Sequence, residues 1–474
     1  MSTNTVKATD AAAQEPVVPD VRALARWALR ASYDDLSPQS LQQIPVHLLD
    51  AVGCQLAALG AGPVDACRAQ VQEFSPSGAA PLVAGGTSNP MMAAFWHTVL
   101  VRYVDVMDNF LAPTETCHTA DNFGGVLTAA ALAGSSGKEL MLGMAVGWTA
   151  QSRYVDHADF MTRGFDHTAQ LAFSVPAAAG RLLGMSEDEI ANAVAMAAAS
   201  DSSFAAIRSK PLSQWKGLAS AQSTLSAYNC IYLARRGVQG PVDIVEMPNG
   251  IDHALGMRID IDWDSEGYEG VATSTIKRYV AEIHCQPAIQ CMTELRGEVN
   301  AAPEQIVSIE ADVPQITFNF AGGGLYGNAT AQIRYKEQAD HSLPYLLAVA
   351  YLDGTVMPPQ FTPDRINSAD VQELLGKVVV RPDAKMTSVY PRKFPSRIII
   401  RLKDGTVHTH EIQGYTGMPN FPFTWDDSVD KFDQLTDGVL DASLAGEIKD
   451  VCRDIASHET SDLVGLLQKV PYPG

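Results

Sequence analysis

Apolar residues recur at helical spacing through the first half of the chain. Alanine and leucine dominate residues 21–255, as in 21–29 and 48–59, and apolar positions three and four apart form one face of a helix. Ser186-Glu-Asp-Glu189 precedes an alanine-rich run with the spacing of a capping box, in which the serine accepts a backbone N–H and the glutamate reaches back. We therefore predict a helical region, with one helix beginning at this box.

The pattern becomes mixed after about residue 270. Residues 305–313 alternate like a strand, and 377–381 form a short β-branched run. Two further apolar runs, 397–403 and 406–412, flank Asp404-Gly405, a dipeptide typical of hairpin turns. This part of the chain is predicted to contain a β-hairpin within an α+β segment.

Helical signals return within and after this segment. Residues 342–353 read as a helix that ends at Gly354, and residues 427–467 regain helical periodicity. We predict a mainly α fold: a large all-helical domain from residues 21–270 and 413–474, into which a smaller α+β domain, residues 271–412, is inserted. Residues 1–20 are polar, contain alanine and proline, and are expected to be a disordered lead.

The length of the chain indicates its number of domains, and its charge limits the kinds of partner it can bind. The chain has 474 residues, more than the roughly 250 to 300 that one core supports, so two domains are expected. Its net charge of -20 argues against nucleic acid and anionic membranes as partners, because both need a basic face. No run approaches the about 18 apolar residues of a membrane span. A small-molecule ligand is favoured.

The cysteines and the absence of several well-known motifs exclude further classes of protein. Seven cysteines form no Cys-x-x-Cys pair, which favours reduced thiols in a cytoplasmic protein. Cys285 and Cys291 are six apart, which is not a usual zinc or iron–sulfur spacing. Glycine-rich nucleotide loops, His-Glu-x-x-His and Gly-x-Ser-x-Gly do not occur. Nucleotide-binding, zinc-protease and α/β-hydrolase functions therefore lose their main support.

The most informative segment is 102–125, which is rich in acids and lies between two apolar stretches. It contains Asp105, Asp108 and His118, and a polar segment held between core helices is a candidate active site. The alternative is that the two aspartates cap helices or pair with Arg102.

Four more polar clusters accompany this segment. They are 163–168 with His167, 208–217 with Arg208, Lys210 and Lys216, 277–284 with Lys277 and His284, and 340–342 with Asp340 and His341. The cluster 208–217 is a loop with cations before a helix, and such a loop can hold a carboxylate. For the cluster 340–342, the alternative is a simple helix cap.

Together these segments resemble the MmgE/PrpD family of 2-methylcitrate dehydratases. The resemblance covers most of residues 21–470, and no single motif carries it. The matching segments, in the family's order, are 102–127 with Arg102-x-x-Asp105-x-x-Asp108, His118 and Asp121-Asn122-x-Gly124-Gly125, then 164–168, 214–217, 233–241, 277–284 and 340–345.

The resemblance implies a helical domain with an α+β lid, an active site in the cleft between them, a homodimer, and no organic cofactor or metal. It implies catalytic roles for Asp105, His118, His167, Lys216, Lys277 and His284. A family tyrosine matches Tyr326 or Tyr335. The sequence departs from the family at Asn109, where threonine is usual, and at Thr119-Ala120.

The residue types fit the elimination of water from a β-hydroxy di- or tricarboxylate. Such a reaction needs a base for the C–H proton, cations for the enolate-like charge and an acid for the leaving hydroxyl. We expect Lys216, Lys277 and Arg208 to hold carboxylates, and His118 and His284 to transfer protons, with Asp105 tuning one of them. Further candidate substrate-binding residues are Lys210, Asn109 and Tyr326.

Two alternatives remain open from the sequence. A cis-aconitate-type decarboxylase or a dicarboxylate epimerase would use the same groups, because both reactions begin with a stabilised carbanion. The second alternative is a carboxylate-binding protein without turnover, which the substitution at Asn109 leaves open.

Overall fold

In a computed structural model the protein is mainly helical, as predicted. The structure describes residues 19–209, 212–324 and 333–473. The expected lead, residues 1–20, lies almost entirely outside this part of the chain. Ser186 forms the predicted capping box.

The helices of the first region are α1 (Asp20–Arg30), α2 (Pro38–Ala57), α3 (Gly62–Phe74), α4 (Pro90–Tyr103), α5 (Phe123–Ala133), α6 (Gly137–His157), α7 (Leu171–Leu182), α8 (Glu187–Ser200), α9 (Ala219–Ala234), α10 (Ile251–Leu255) and α11 (Gly270–Thr273).

Two short hairpins interrupt these helices, β1 (Ala80–Pro81) with β2 (Thr87–Ser88) and β3 (Phe110–Leu111) with β4 (Thr116–Cys117). Helix α5 is apolar on all sides and packs against α4 and α7. A Cβ on Gly124 would lie 2.4 Å from the backbone nitrogen of Thr98. Glycine is therefore required where α5 crosses α4, and this crossing holds the polar segment after α4 in place.

A four-stranded sheet and its helices form the next region. The strand order is β6-β5-β7-β8, with β5 and β6 parallel and the other pairs antiparallel. The hairpin predicted around Asp404-Gly405 is confirmed, as are the strands predicted within 305–313 and 377–381. The elements are α12 (Gln286–Val299), β5 (Ile306–Val313), α13 (Gln315–Ala321), α14 (Lys336–Ala339), α15 (Leu343–Asp353), α16 (Pro363–Ile366), α17 (Ala369–Leu375), β6 (Val378–Pro382), α18 (Ala384–Val389), β7 (Ser396–Leu402) and β8 (Val407–Ile412).

The chain closes with α19 (Trp425–Thr436), α20 (Ala442–Arg453) and α21 (Thr460–Lys469). Helices α19 and α20 pack on α2, and α21 packs on α5, so the C-terminal helices lie against the first helical region. The division into a helical domain and an inserted domain, with boundaries at 270 and 413, stays a prediction.

Among the described residues, no single helix combines the length and hydropathy needed to cross a membrane. Helices α2 and α3 together meet that criterion by length and composition only, and they are bent by 90°.

Candidate active site

Asp105 is the centre of a buried ion network. Its Oδ1 lies 2.8 Å from Nζ of Lys277 and 3.0 Å from Nη1 of Arg102, and its Oδ2 lies 2.9 Å from Nζ of Lys216. Burial alone would raise the pKa of Asp105, but the three cations outweigh it and hold that pKa well below its usual range. Asp105 is therefore an anion shared by Lys216, Lys277 and Arg102.

The backbone at Asp105 is also unusual. Its φ is 64°, a left-handed conformation that costs free energy in a residue with a side chain. Lys277 Nζ donates to the carbonyl of Asp105 at 3.0 Å, and Lys431 Nζ on α19 donates to the carbonyl of Val106 at 2.7 Å. Lys431 also pairs with buried Asp50. Lysines from two distant segments thus fix the turn after α4.

Asp340 and His341 join the same network. Nζ of Lys216 lies 3.5 Å from Oδ2 of Asp340 and 3.2 Å from Nδ1 of His341, and His341 Nδ1 lies 2.6 Å from Oδ1 of Asp340. Burial would raise the pKa of Asp340, but Lys216 and Lys336 hold it below its usual range. The helix cap is Ser342, which accepts the backbone N–H of Tyr345. The alternative that Asp340 and His341 serve only as a cap is therefore wrong.

Asp105, Asp340 and His341 also offer three metal-ligand atoms within 4.8 Å of one another. The ammonium of Lys216 contacts all three residues. A metal ion there would have to displace this cation, so the donor set is already occupied by an amine.

His118 is held in a defined orientation beside Asp105. Its Nδ1 lies 3.3 Å from the carbonyl oxygen of Asp108, and its Nε2 lies 3.8 Å from Oδ1 of Asp105. A carbonyl only accepts, so Nδ1 carries the hydrogen and Nε2 of the neutral ring keeps its lone pair. Burial first, then Arg102 and Lys277, holds the pKa of His118 well below its usual range. His118 is therefore neutral near pH 7 and able to accept a proton.

Asp108 supports the site from behind. Its carboxylate accepts from His47 Nδ1 at 2.8 Å, Trp148 Nε1 at 2.6 Å, Thr119 Oγ1 at 2.9 Å and the backbone N–H of Ala120 at 2.6 Å. Its side chain is 1% exposed. Asp108 does not pair with Arg102. By accepting from Thr119 and Ala120 it secures the start of the short 3-10 helix Thr119–Asn122, directly after His118.

His167 and Arg208 form a second cluster. Arg208 binds Asp166 in a bidentate pair, with Nε at 2.7 Å and Nη2 at 2.9 Å. The rings of His167 and His118 lie 5.1 Å apart, and burial lowers the pKa of His167 to about 4. Within the described residues, Nε2 of His167 has no hydrogen-bond partner. This places a second neutral imidazole beside the first.

His284 belongs to a third cluster. Its Nδ1 lies 2.5 Å from Oε1 of Glu282, and its Nε2 lies 3.2 Å from the hydroxyl of Tyr390. Burial would raise the pKa of Glu282, but His284 outweighs it and the pKa is lowered. Phe320 stacks on the imidazole, with ring centroids 5.3 Å apart. A carboxylate thus orients His284, as in other acid–base dyads.

The three clusters line one cavity of about 710 Å³, a volume in the range of small-molecule sites. Lys210 and Tyr326 lie outside the described residues. Tyr335 is 47% exposed and does not line the described part of the cavity. The predicted residues on the cavity wall are Asp105, Asn109, His118, His167, Arg208, Lys216, Lys277 and His284.

The structure adds residues that the sequence did not single out as candidates. In the sequence, Arg102 is a possible partner of Asp105 and Asp108 and the first residue of the family motif, but not a predicted site residue. Glu282 is two positions before His284, a spacing that could have suggested the dyad. Tyr390 is 106 residues from its partner, and no local signal could have found it. The cavity residues added are Arg102, Glu115, Glu282 and Tyr390, and His341 from the cluster 340–342 also lines the cavity.

Asn109 occupies a constrained position in the wall. Its backbone exchanges hydrogen bonds with Thr275, at 2.7 and 2.6 Å, which ties the segment after α4 to the segment that carries Lys277. In the described structure its side-chain amide atoms are buried and have no partner. A donor and an acceptor are therefore available to a ligand.

Comparison with known proteins gives a consistent result. Residues 22–263 match the family model of the MmgE/PrpD N-terminal domain, and residues 279–456 match that of the MmgE/PrpD C-terminal domain. The chain is 24% identical to 2-methylcitrate dehydratase of Salmonella typhi and 26% identical to that of Cupriavidus necator, in both cases over 76% of this chain and 78% of the relative. It is 22% identical to an alkylcitrate dehydratase of a fungal species, over 77% of each.

Proposed function

The chain belongs to the MmgE/PrpD family, and we propose that it is a hydro-lyase that dehydrates a β-hydroxy di- or tricarboxylate such as 2-methylcitrate. The observation that carries the proposal is one cavity in which buried cations lie beside neutral imidazoles. Cations bind carboxylates and stabilise enolate-like charge, and a neutral imidazole accepts a proton.

Lys277, Lys216 and Arg208 bind the substrate carboxylates. Each is already paired with an acid, Asp105 for the two lysines and Asp166 for Arg208, so a substrate shares these cations with the resident carboxylates. Burial lowers the pKa of Lys277, yet Asp105 keeps its ammonium charged. Asn109 offers its unpartnered amide to the same ligand.

His118 removes the C–H proton. Its Nε2 carries the lone pair and faces Asp105, whose carboxylate would stabilise the imidazolium once the proton has moved. The C–H bonding pair becomes the new C=C bond, and the hydroxyl on the adjacent carbon leaves. The ring centroid of His167 lies 5.1 Å from that of His118, so His167 is placed to bind the substrate or to accept the proton from His118.

The leaving hydroxyl needs a proton to depart as water. His284 is the proposed donor, because the Glu282 carboxylate orients its ring through Nδ1 and its Nε2 points to the phenol of Tyr390. A substrate hydroxyl would take the place of that phenol or bind between the two groups. His118 and His284 line the same cavity from different segments of its wall, and the proposal places them at two adjacent carbons of the substrate.

The proposal includes a lid, a homodimer, a cytoplasmic location and catalysis without a metal or organic cofactor. Asp105, His118 and Lys216 come from residues 21–270, whereas Lys277 and His284 come from 271–412, which supports a site in a cleft between two domains. Light scattering should give twice the mass of one chain. Activity should survive dialysis against a strong chelator, and loss of activity that zinc or iron restores would contradict a metal-free reaction.

One assay tests the reaction itself. The protein is incubated with 2-methylcitrate, citrate and cis-aconitate, while ultraviolet absorbance of a conjugated double bond and release of carbon dioxide are followed. Water loss without carbon dioxide is expected. Carbon dioxide release would favour a decarboxylase, and binding without either change would favour an inert carboxylate-binding protein.

A further inference from the structure

Glu115 is an acid on the cavity wall that the proposed reaction does not use. It lies in the turn between β3 and β4, is 4% exposed and lines the cavity. Its Oε1 accepts from Nε2 of Gln170 at 2.9 Å, and its Oε2 accepts from the backbone N–H of Met161 at 3.3 Å. No Lys, Arg or His lies within ion-pair distance of it in the described ranges. It therefore differs from Asp105, Asp166 and Glu282, which are all paired.

The charged groups around Glu115 do not supply a cation either. Nη2 of Arg153 pairs with Asp156 at 3.2 Å, and Arg208 is committed to Asp166. Asp159 accepts from Thr114, the residue before Glu115. The ionisable groups on the elements packed against the hairpin are Arg153, Tyr154, Asp156 and His157 near the end of α6, Asp159 after it, Asp166 and His167 before α7, Cys117 on β4 and His118 after it.

These surroundings favour the neutral acid. Burial, the largest effect, raises the pKa of Glu115 to about 8, against the hydrogen bonds from Met161, Phe160 and Gln170, and the charge of Asp166 adds to the rise. Below that pH Glu115 carries a proton. Its partners in the described structure are all N–H donors, so the carboxyl hydrogen has no acceptor among them.

We propose that Glu115 is a substrate-binding residue that donates its carboxyl O–H to an oxygen of a polycarboxylate ligand. This inference rests on the proposed function only for the class of ligand. A protonated acid can donate to a carboxylate or a hydroxyl, whereas an ionised Glu115 would repel an anionic ligand at short range. Glu115 thus adds a neutral contact to a site whose other contacts are charged, and it makes binding depend on pH.

The direction of that dependence follows from the proton. The ligand binds the protonated form, so binding is full below about pH 8 and weakens as pH rises through that value. At pH 9.0 about one site in eleven would still be protonated, which predicts a roughly tenfold loss of affinity between pH 6.5 and pH 9.0. Other groups in the cavity also titrate, so the comparison with a matched variant isolates this contribution.

The test is calorimetric titration with tricarballylate, which lacks the hydroxyl group and therefore cannot be dehydrated. Wild type, Glu115→Gln and the exposed control Glu304→Gln are compared at pH 6.5 and pH 9.0. Glutamine is neutral at both values and keeps an N–H donor. We expect Glu115→Gln to lose about tenfold less affinity over this interval than wild type, and Glu304→Gln to match wild type.

Two outcomes would overturn the inference, and they differ in meaning. An equal loss of affinity in wild type and Glu115→Gln would refute the role of Glu115 alone, and would fit a reversed Gln170 amide that accepts the proton internally. Absence of tricarballylate binding in wild type at both pH values would refute the proposed polycarboxylate site as well.

A second measurement needs no variant. Titration of wild type in buffers of different ionisation enthalpy reports the protons taken up on binding. Uptake at pH 8 should exceed that at pH 6.5 by about half a proton per site, and equal uptake would contradict the proposal.

Discussion

The ammonium of Lys216 lies 2.9 Å from Oδ2 of Asp105, and both side chains are nearly inaccessible to solvent. The same ammonium reaches Asp340, more than two hundred residues further along the chain than Asp105. A buried cation is thus shared by acids from the two halves of the sequence. Removing either partner of such a pair leaves an uncompensated charge in a medium of low polarity.

Asp105→Asn should therefore be costly for both folding and turnover. Lys216 and Lys277 would lose their common anion, and the free energy of unfolding should fall by about 3–5 kcal/mol. Turnover should fall at least on the order of a hundredfold, because the carboxylate-binding lysines would lose their positions. Urea denaturation and steady-state kinetics measure the two effects.

The matched control for this variant is Asp433→Asn. Asp433 pairs with Lys449 at 2.8 Å on the surface, with its side chain 51% exposed. This substitution should cost less than about 1 kcal/mol. If both variants lowered the free energy of unfolding by the same amount, the buried network would contribute no more to stability than a surface ion pair.

His118→Gln tests the proposed base. The turnover number should fall by about 10²–10⁴-fold, while affinity for tricarballylate should change little. In wild type the pKa of His118 is held below its ordinary value by burial, Arg102 and Lys277. Protonation removes the base, so kcat/KM should stay high down to pH 6.5 and fall only as pH drops further. An acid limb above pH 7 would assign the base to another group.

Glu282→Gln tests the orientation of His284. The carboxylate accepts from Nδ1 and holds the ring with Nε2 toward the hydroxyl of Tyr390. A neutral amide holds the ring less firmly, so turnover should fall on the order of a hundredfold with little change in KM. The exchange of the substrate C–H proton with solvent deuterium should persist, because it requires His118 alone. Loss of that exchange would place His284 in the first step.

Lys431→Met tests the support of the turn after α4. Lys431 donates to the carbonyl of Val106 and pairs with Asp50, whose pKa is raised by burial despite this cation. The single variant should lower both stability and turnover. In Asp50→Leu/Lys431→Met, stability should recover because no buried charge remains unpaired. Turnover should stay low, since the carbonyl still lacks its donor. Recovery of both would show that Lys431 serves stability alone.

Several elements could be predicted because their signals are local. The box at Ser186, the turn at Asp404-Gly405 and the glycine after α15 each act within a few residues. The hydrogen bonds of a capping box or a tight turn join residues only a few positions apart, so the residue types that form them can be recognised in the sequence. The same holds for Lys216 and His284, whose polar clusters interrupt apolar runs.

The amino-acid sequence alone determined a mainly helical chain, a small sheet and a set of acids, lysines and histidines suited to carboxylate chemistry. Only the tertiary structure decided which of them meet. Packing of α19 on α2 brings Lys431 to Val106, and the fold brings Tyr390 to His284 and Asp340 to Lys216. Glu115 became a candidate only through its burial without a cation. Contacts across a hundred residues or more follow from the packing of the whole core, so no local pattern in the chain encodes them.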